Sequence, residues 1–390
     1  MKKSIFLGII ALAAMSMTSC SNDEVTSAYP QDDAIEFGTY LGRDVLTRGV
    51  VLDNTNLANF GVFASYTGET DWASTDGYNF MYNQIVEKSG SDWVYSPKKY
   101  WPTNKGDKIS FFAYAPYETG ATAPNNGITV VSVNTATDAP VINYNIAADN
   151  LENQVDFVAD VLMNLVKAGP SSSIDSGDRL VSFQLLHELT RLGFTAKLDR
   201  DAYAVGNEAN QTLVNIKSIT FLPADEFCTS ANYTFATEND KRGTWNDFTG
   251  AGELNIAKLL NVATFNLAGY TTPGILVPDT NPVTLFKENA TPAQEYLFLI
   301  PRGEAGISAD GKVKIAVAYD IVTVDPSLAA GHSVTPATKI IEFPAGSLKQ
   351  GVAYMFNLTF GLNEIKLEAT VVDWAEENIN GNVDWPKVDA

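Results

Sequence analysis

Ile35-Glu36-Phe37-Gly38-Thr39-Tyr40-Leu41 is the stretch on which the fold reading turns. Ile35, Phe37, Thr39 and Leu41 stand at every second position, with Glu36, Gly38 and Tyr40 between them. Side chains of a strand point alternately to opposite faces. A period of two therefore sets one face of the segment against a core and leaves the other in water. Short runs of the same kind follow, split by Gly, Pro, Asn and Asp: Phe60-Gly61-Val62-Phe63-Ala64, Trp93-Val94-Tyr95, Lys108-Ile109-Ser110-Phe111-Phe112-Ala113-Tyr114, Ile128-Thr129-Val130-Val131 and Val141-Ile142-Asn143-Tyr144. They are rich in β-branched and aromatic residues, which suit a half-buried pleated surface.

Past a small, polar stretch, Gly169-Pro170-Ser171-Ser172-Ser173-Ile174-Asp175-Ser176-Gly177, the pattern resumes. Strands are predicted at 181–185, 194–198, 214–222, 233–236, 264–267, 274–277, 296–300, 312–322, 339–343, 353–358 and 365–374, with a short helical turn at 187–192. Only 160–166 and 256–260 read as short helices. Many short strands with no helices between them predict an all-β chain of antiparallel sheets, economically two β-sandwiches in series. The polar stretch is the natural boundary, giving an N-terminal domain over 34–172 and a C-terminal domain over 173–390.

Upstream of the first strand the chain has a different character. Lys2 and Lys3 precede an apolar run from Ile5 to Met15, and Met17-Thr18-Ser19-Cys20 follows. A basic start, about a dozen apolar residues and a small-residue ending make a secretory signal peptide, here 1–19, too short to span a bilayer. Thr-Ser-Cys resembles a bacterial lipobox, which implies cleavage before Cys20 and acylation of its thiol. Multiple acyl chains hold a protein stably to a membrane where one would not. Residues 20–33 read as a polar tether, and Asn22-Asp23-Glu24 resembles an acidic export tag of Bacteroidota outer-membrane lipoproteins.

The formal charge of -20 excludes nucleic acid as a partner, because no Lys/Arg surplus exists to displace counterions from phosphates. Cys228 is the only other cysteine, so no intrachain disulfide framework forms and burial must stabilise the fold. Cys228 itself reads as a small buried hydrophobe. His187 and His332 lack partners at metal-ligand spacing, and no nucleophile elbow or phosphate loop occurs. His187, among leucines, reads as a packed histidine. Asp53-Asn54-Thr55-Asn56 offers oxygen ligands but departs from a calcium-binding loop. Scattered carboxylates do not establish a glycosidase pair. Tyr78-Asn79-Phe80-Met81-Tyr82 and Tyr100-Trp101-Pro102 suit either sandwich core or stacking on sugars. No enzyme, no cofactor and no metal is expected.

Taken in order, these segments resemble the fimbrillin-like family of Bacteroidota, the type V pilins and their minor subunits. The matching pieces are Cys20, Ala34-Ile35-Glu36-Phe37, Leu46-Thr47-Arg48-Gly49, Asn59 to Ala64, Asp92-Trp93-Val94-Tyr95 through Tyr100-Trp101-Pro102, Ile109 to Tyr114, Phe183 to Leu189, and Ala369-Thr370-Val371-Val372-Asp373-Trp374. The resemblance implies two tandem transthyretin-like β-sandwich domains in a lipoprotein precursor. It also implies that an arginine-specific protease removes the first strand and that a neighbouring subunit's C-terminal segment replaces it. The expected cut is at Arg48, with Arg43 the alternative, and the displaced strand carries Ile35, Phe37, Thr39 and Leu41. The candidate donor carries Ile379, Val383, Trp385 and Val388. The expected partners are other fimbrial subunits, outer-membrane lipid through Cys20 before processing, and host or bacterial surface ligands. The implied location is the surface of the outer membrane, then the fimbrium. A lipid-anchored glycan-binding protein that does not polymerise is the competing reading.

Overall fold

The computed structural model describes residues 34–41, 52, 54, 56–119, 127–146, 151, 154–167, 180–199, 212–222, 228–250, 252–267, 269–278, 281–287, 296–302, 311–361 and 365–372. The first strands are β1 (Glu36–Tyr40), β2 (Asn59–Gly68), β3 (Met81–Ser89), β4 (Asp92–Val94) and β5 (Lys108–Ala115). Next come β6 (Ile128–Val130), β7 (Val141–Asn145), β8 (Val158–Val166), β9 (Leu180–Gln184) and β10 (Leu186–His187). They are followed by β11 (Thr190–Leu198), β12 (Thr212–Phe221), β13 (Ser230–Thr234), β14 (Thr244–Thr249), β15 (Leu254–Asn255), β16 (Ala263–Leu267) and β17 (Tyr270–Val277). The last are β18 (Val283–Thr284), β19 (Leu297–Leu299), β20 (Lys312–Val324), β21 (His332–Pro344), β22 (Ala353–Phe360) and β23 (Ile365–Val372). The chain is all-β, as its period-two runs predict.

A six-stranded antiparallel sheet, β10-β8-β5-β2-β3-β4, is the middle of three layers. Phe60, Val62, Ile109, Phe111, Ala113 and Val158 point into a core shared with the two-stranded sheet β1-β9. Phe63, Phe112, Tyr114, Ala159 and Val161 point the other way, into a core shared with the four-stranded sheet β14-β13-β7-β6. A sheet buried on both faces has no polar side, so β2 and β5 read as nearly continuous apolar runs.

The helix expected at 160–166 is instead the body of β8. Val161 and Met163 face one core while Leu162 and Leu165 pack against the other, so apolar residues at successive positions imitate a helix. The helical turn expected at 187–192 is likewise absent. Leu186–His187 closes one edge of the middle sheet, and two residues later β11 enters a different sheet. His187, Glu188, Leu189, Thr190, Arg191 and Leu192 are all buried where the chain crosses, which removed the periodicity that separates strand from helix. At 256–260 a single 3-10 turn, Ala257–Leu259, stands where a helix was expected.

The remaining strands form two facing sheets, β18-β11-β22-β23 with β19 against β11, and β16-β17-β12-β20-β21 with β15 against β12. Phe194 and Phe356, with ring centroids 5.3 Å apart, and Phe343 fill the space between them. Two pairings depart from the antiparallel expectation: β1 with β9 and β11 with β22 run parallel. Each joins segments more than a hundred residues apart, a crossover no hairpin signal can announce.

The boundary expected after residue 172 lies outside the described residues. On its far side β9 and β10 pair with β1 and β8, while β13 pairs with β7. Cys228 is buried, and burial pushes its thiol up to about 11.

Candidate functional site

The first strand is a strand in place, and its surroundings define a groove. Ile35, Phe37 and Leu41 are buried in the core, whereas Thr39 is half-buried and Glu36 and Tyr40 are exposed. Hydrophobic burial of this kind contributes roughly 1.5–3 kcal/mol per large side chain. Phe37 is the hub. Its ring centroid lies 5.1 Å from Tyr95, 6.0 Å from Phe60, 6.1 Å from Phe111 and 6.0 Å from Phe183.

Backbone bonding splits by parity, as a strand requires. The even-numbered residues face β9, and the Tyr40 carbonyl accepts from Leu185 N–H at 3.0 Å. The odd-numbered ones face away. Ile35 N–H donates to the Lys99 carbonyl at 2.9 Å, and the Ile35 carbonyl accepts from the Tyr95 hydroxyl at 2.9 Å. At the other end Leu41 is clamped by one side chain: its N–H donates to Asn54 Oδ1 (2.9 Å) and its carbonyl accepts from Asn54 Nδ2 (3.0 Å). Asn54, set beside possible oxygen ligands in the sequence, thus acts as a stand-in strand at the end of β1. Among the described residues no group of three or more His, Cys, Asp or Glu could hold a metal ion.

Burial pushes the Tyr95 phenol up to about 12. The folded form therefore holds the proton more tightly than an unfolded chain, whose tyrosines titrate near pH 10. Stability from this group is complete below about pH 10 and is lost as pH rises through the folded value. Tyr95→Phe should flatten that part of the alkaline decline in a pH series of denaturant unfolding curves. An unchanged slope would assign the decline to other tyrosines.

The chain returns to the groove at Leu52, whose N–H donates to Asp156 Oδ2 at 3.2 Å. The same oxygen lies 2.6 Å from His187 Nδ1, and both side chains are buried. His187 is thus packed, as read from its leucine neighbours, but also paired with a carboxylate 31 positions away that no local pattern could reveal. The aromatic clusters suited to either core or sugar stacking belong mostly to the core: Tyr78 and Trp101 are buried, and the Tyr78 hydroxyl donates to the Asp138 carbonyl at 2.6 Å. Cys20, Arg43, Arg48, Ile379, Val383, Trp385 and Val388 lie outside the described residues. Tyr95, Asn54 and Asp156, which hold the first strand and the chain that follows it, were not anticipated from the sequence.

Comparison with known proteins gives one consistent answer. The fimbrium subunit Fim1C of Phocaeicola vulgatus is 27% identical over 389 residues, spanning 95% of this chain and 96% of its own. A crystal structure of a fimbrial protein from Bacteroides vulgatus superposes with a TM-score of 0.70 at 26% identity, over 88% of this chain and 99% of the other. The fimbrillin-like family matches residues 47–374. That span is well over half of the chain, and this protein therefore belongs to the fimbrillin-like family.

Proposed function

We propose that this protein is a structural and adhesive subunit of a cell-surface fimbria, acting without enzymatic chemistry and joined to its neighbours by strand exchange. In this reading it leaves the cell as a lipoprotein anchored to the outer membrane through Cys20. A protease then cuts at Arg48, or at Arg43, and detaches the lipid together with β1. The segment carrying Ile379, Val383, Trp385 and Val388 of another subunit fills the vacated groove. Tandem sandwich domains divided near residue 172 would be the repeating body of the fibre.

One observation carries the reading: Ile35, Phe37 and Leu41, in β1 and at its two ends, belong to the core, while among the described residues β1 pairs with a single strand, β9, in a layer of two. Removing it would leave β9 with an unpaired edge beside an apolar trough, which favours addition of another strand. The segment that would be cut, 42–51, joins Leu41 to Leu52 and contains both candidate arginines.

Treatment of the purified chain with an arginine-specific protease should remove the first strand and yield ladders on a denaturing gel run without boiling. Arg48→Ala should abolish that trimming, and normal trimming in this variant would move the site to Arg43 or eliminate both. A chain ending before Ile379 should fold and be trimmed yet stay monomeric. Ladders of ordinary length from it would remove the tail as donor.

A further inference from the structure

Resting on the strand-exchange reading, the geometry of the groove points to the direction and register of its second occupant. We infer that residues 379–385 of a second copy enter antiparallel to β9, opposite to β1. In that register Trp385, Val383, Gly381 and Ile379 take the places of Ile35, Phe37, Thr39 and Leu41.

Four ways of seating the tail compare as follows. In the direction of β1 with Trp385 at the Phe37 place, Pro386 falls where Gly38 stands. That is an even position, where backbone N–H faces β9, and proline has none to donate. Shifted along that direction so that Ile379 replaces Ile35, the tail puts Gly381 into the box of four rings and leaves it empty. In the opposite direction with Trp385 at the Phe37 place, Lys387 falls on the Ile35 place, which is fully buried, and an unpaired ammonium there is strongly disfavoured.

The remaining frame has none of these faults. Trp385, Val383 and Ile379 supply one aromatic and two branched aliphatic side chains, as Phe37, Ile35 and Leu41 do, and the summed volume is nearly conserved. Trp385 exceeds the Ile35 it replaces and Val383 falls short of Phe37, so this frame requires the indole to reach toward the space the Phe37 ring leaves. Gly381, the smallest, falls on the half-buried Thr39 place. Reversing a strand while keeping its inward face turns the backbone of the inward residues toward β9. Trp385, Val383, Gly381 and Ile379 all have an N–H to donate there, and Asp384, Asn382 and Asn380 fall on the outward, even positions. Asp384 replaces Glu36, so an acid remains beside the Tyr95 ring, over which Lys98 Nζ sits at 4.5 Å. At the Gly38 place a Cβ meets Leu180, at 3.3 Å, whose exposed end can swing aside, and the Ser182 hydroxyl at an ordinary contact distance of 3.5 Å. Antiparallel pairing is slightly the more stable per residue, so replacing a parallel strand by an antiparallel one gives the exchange a direction.

The test is disulfide trapping in full chains processed by the arginine-specific protease. Leu180 opposes Glu36 and Gln184 opposes Tyr40, at the two ends of β9. Leu180→Cys with Asp384→Cys should form covalent ladders that survive boiling and collapse with reductant, whichever way the tail runs. Gln184→Cys with Asn380→Cys should do the same, whereas Gln184→Cys with Val388→Cys should not. Ladders from the Val388 pair in place of the Asn380 pair would overturn the direction while leaving strand exchange intact. Failure of the Leu180–Asp384 pair in chains that still polymerise would overturn the seating of the tail. Absence of polymer from the unsubstituted processed chain would instead sink the assembly reading beneath it.

Discussion

Phe37→Ala should destabilise the unprocessed protein by about 3–5 kcal/mol, the usual cost of emptying a phenylalanine site in a packed core. Its ring touches four others, contributed by β2, β5, β9 and the turn after β4, so no single neighbour can relax into the space. The loss should be read from the midpoint of denaturant unfolding before protease treatment. After treatment and assembly the outcome should reverse. If β1 has left the groove, polymers of the variant should match the wild type in thermal stability, because residue 37 is no longer in the fold. Polymers weakened by the same amount would show that β1 stays where it is.

A second large effect is expected at Asp156. Its carboxylate is fully buried and accepts from Leu52 N–H at 3.2 Å and Phe157 N–H at 2.9 Å, with His187 Nδ1 at 2.6 Å. Removing the carboxylate takes the acceptor from three buried donors or ring atoms, the Leu52 and Phe157 N–H groups and the His187 ring, at a typical cost of about 1–3 kcal/mol for each group left unsatisfied. Asp156→Ala should lose that much in equilibrium unfolding, and Asp156→Asn, which keeps an acceptor, should lose less. Because Leu52 follows directly on the segment 42–51, Asp156→Ala should also accelerate cutting by the arginine-specific protease. Equal cutting rates in the variant and the wild type would mean that the Leu52 contact does not restrain that segment.

The Asp156–His187 pair also sits where the chain passes from the middle sheet into β11. The Arg242 guanidinium donates to the His187 carbonyl and lies 3.5 Å from the buried Glu188 carboxylate, to which the Gln350 amide also donates. Trp245 Nε1 donates to the Glu188 carbonyl at 2.9 Å. Residues from β10, from the stretch between β10 and β11, from β14 and from the turn before β22 thus meet in one polar seam. Buried polar groups are tolerated when they are mutually satisfied, and such a seam fixes how the sheets meet more than apolar contact alone would.

How far the groove could be read in advance depends on the range of the interactions that make it. The inward set of β1 was legible because alternation over seven residues is a local property of the backbone. Phe183 was visible as part of a strand, but not as the residue stacked on Phe37, since β1 and β9 are joined in parallel through everything between them. Asn54 lies only 13 positions from Leu41, yet its amide reads as one more turn residue until the two ends are seen together. The segments 160–166 and 187–192 misled for the opposite reason. Their local pattern was real, but the contrast that period analysis uses was lost, at 187–192 through burial of every residue and at 160–166 through apolar side chains on both faces of β8.

Strand content, the all-β class and which side chains of the first strand turn inward therefore belong to the sequence alone, because they follow from the pleat and from apolar residues avoiding water. The three-layer arrangement, the parallel seating of β1 on β9, the Asn54 clamp and the Asp156–His187 pair belong to the tertiary structure. Each joins residues whose separation along the chain carries no periodic signature, and each forms only once distant strands have paid the entropy of coming together.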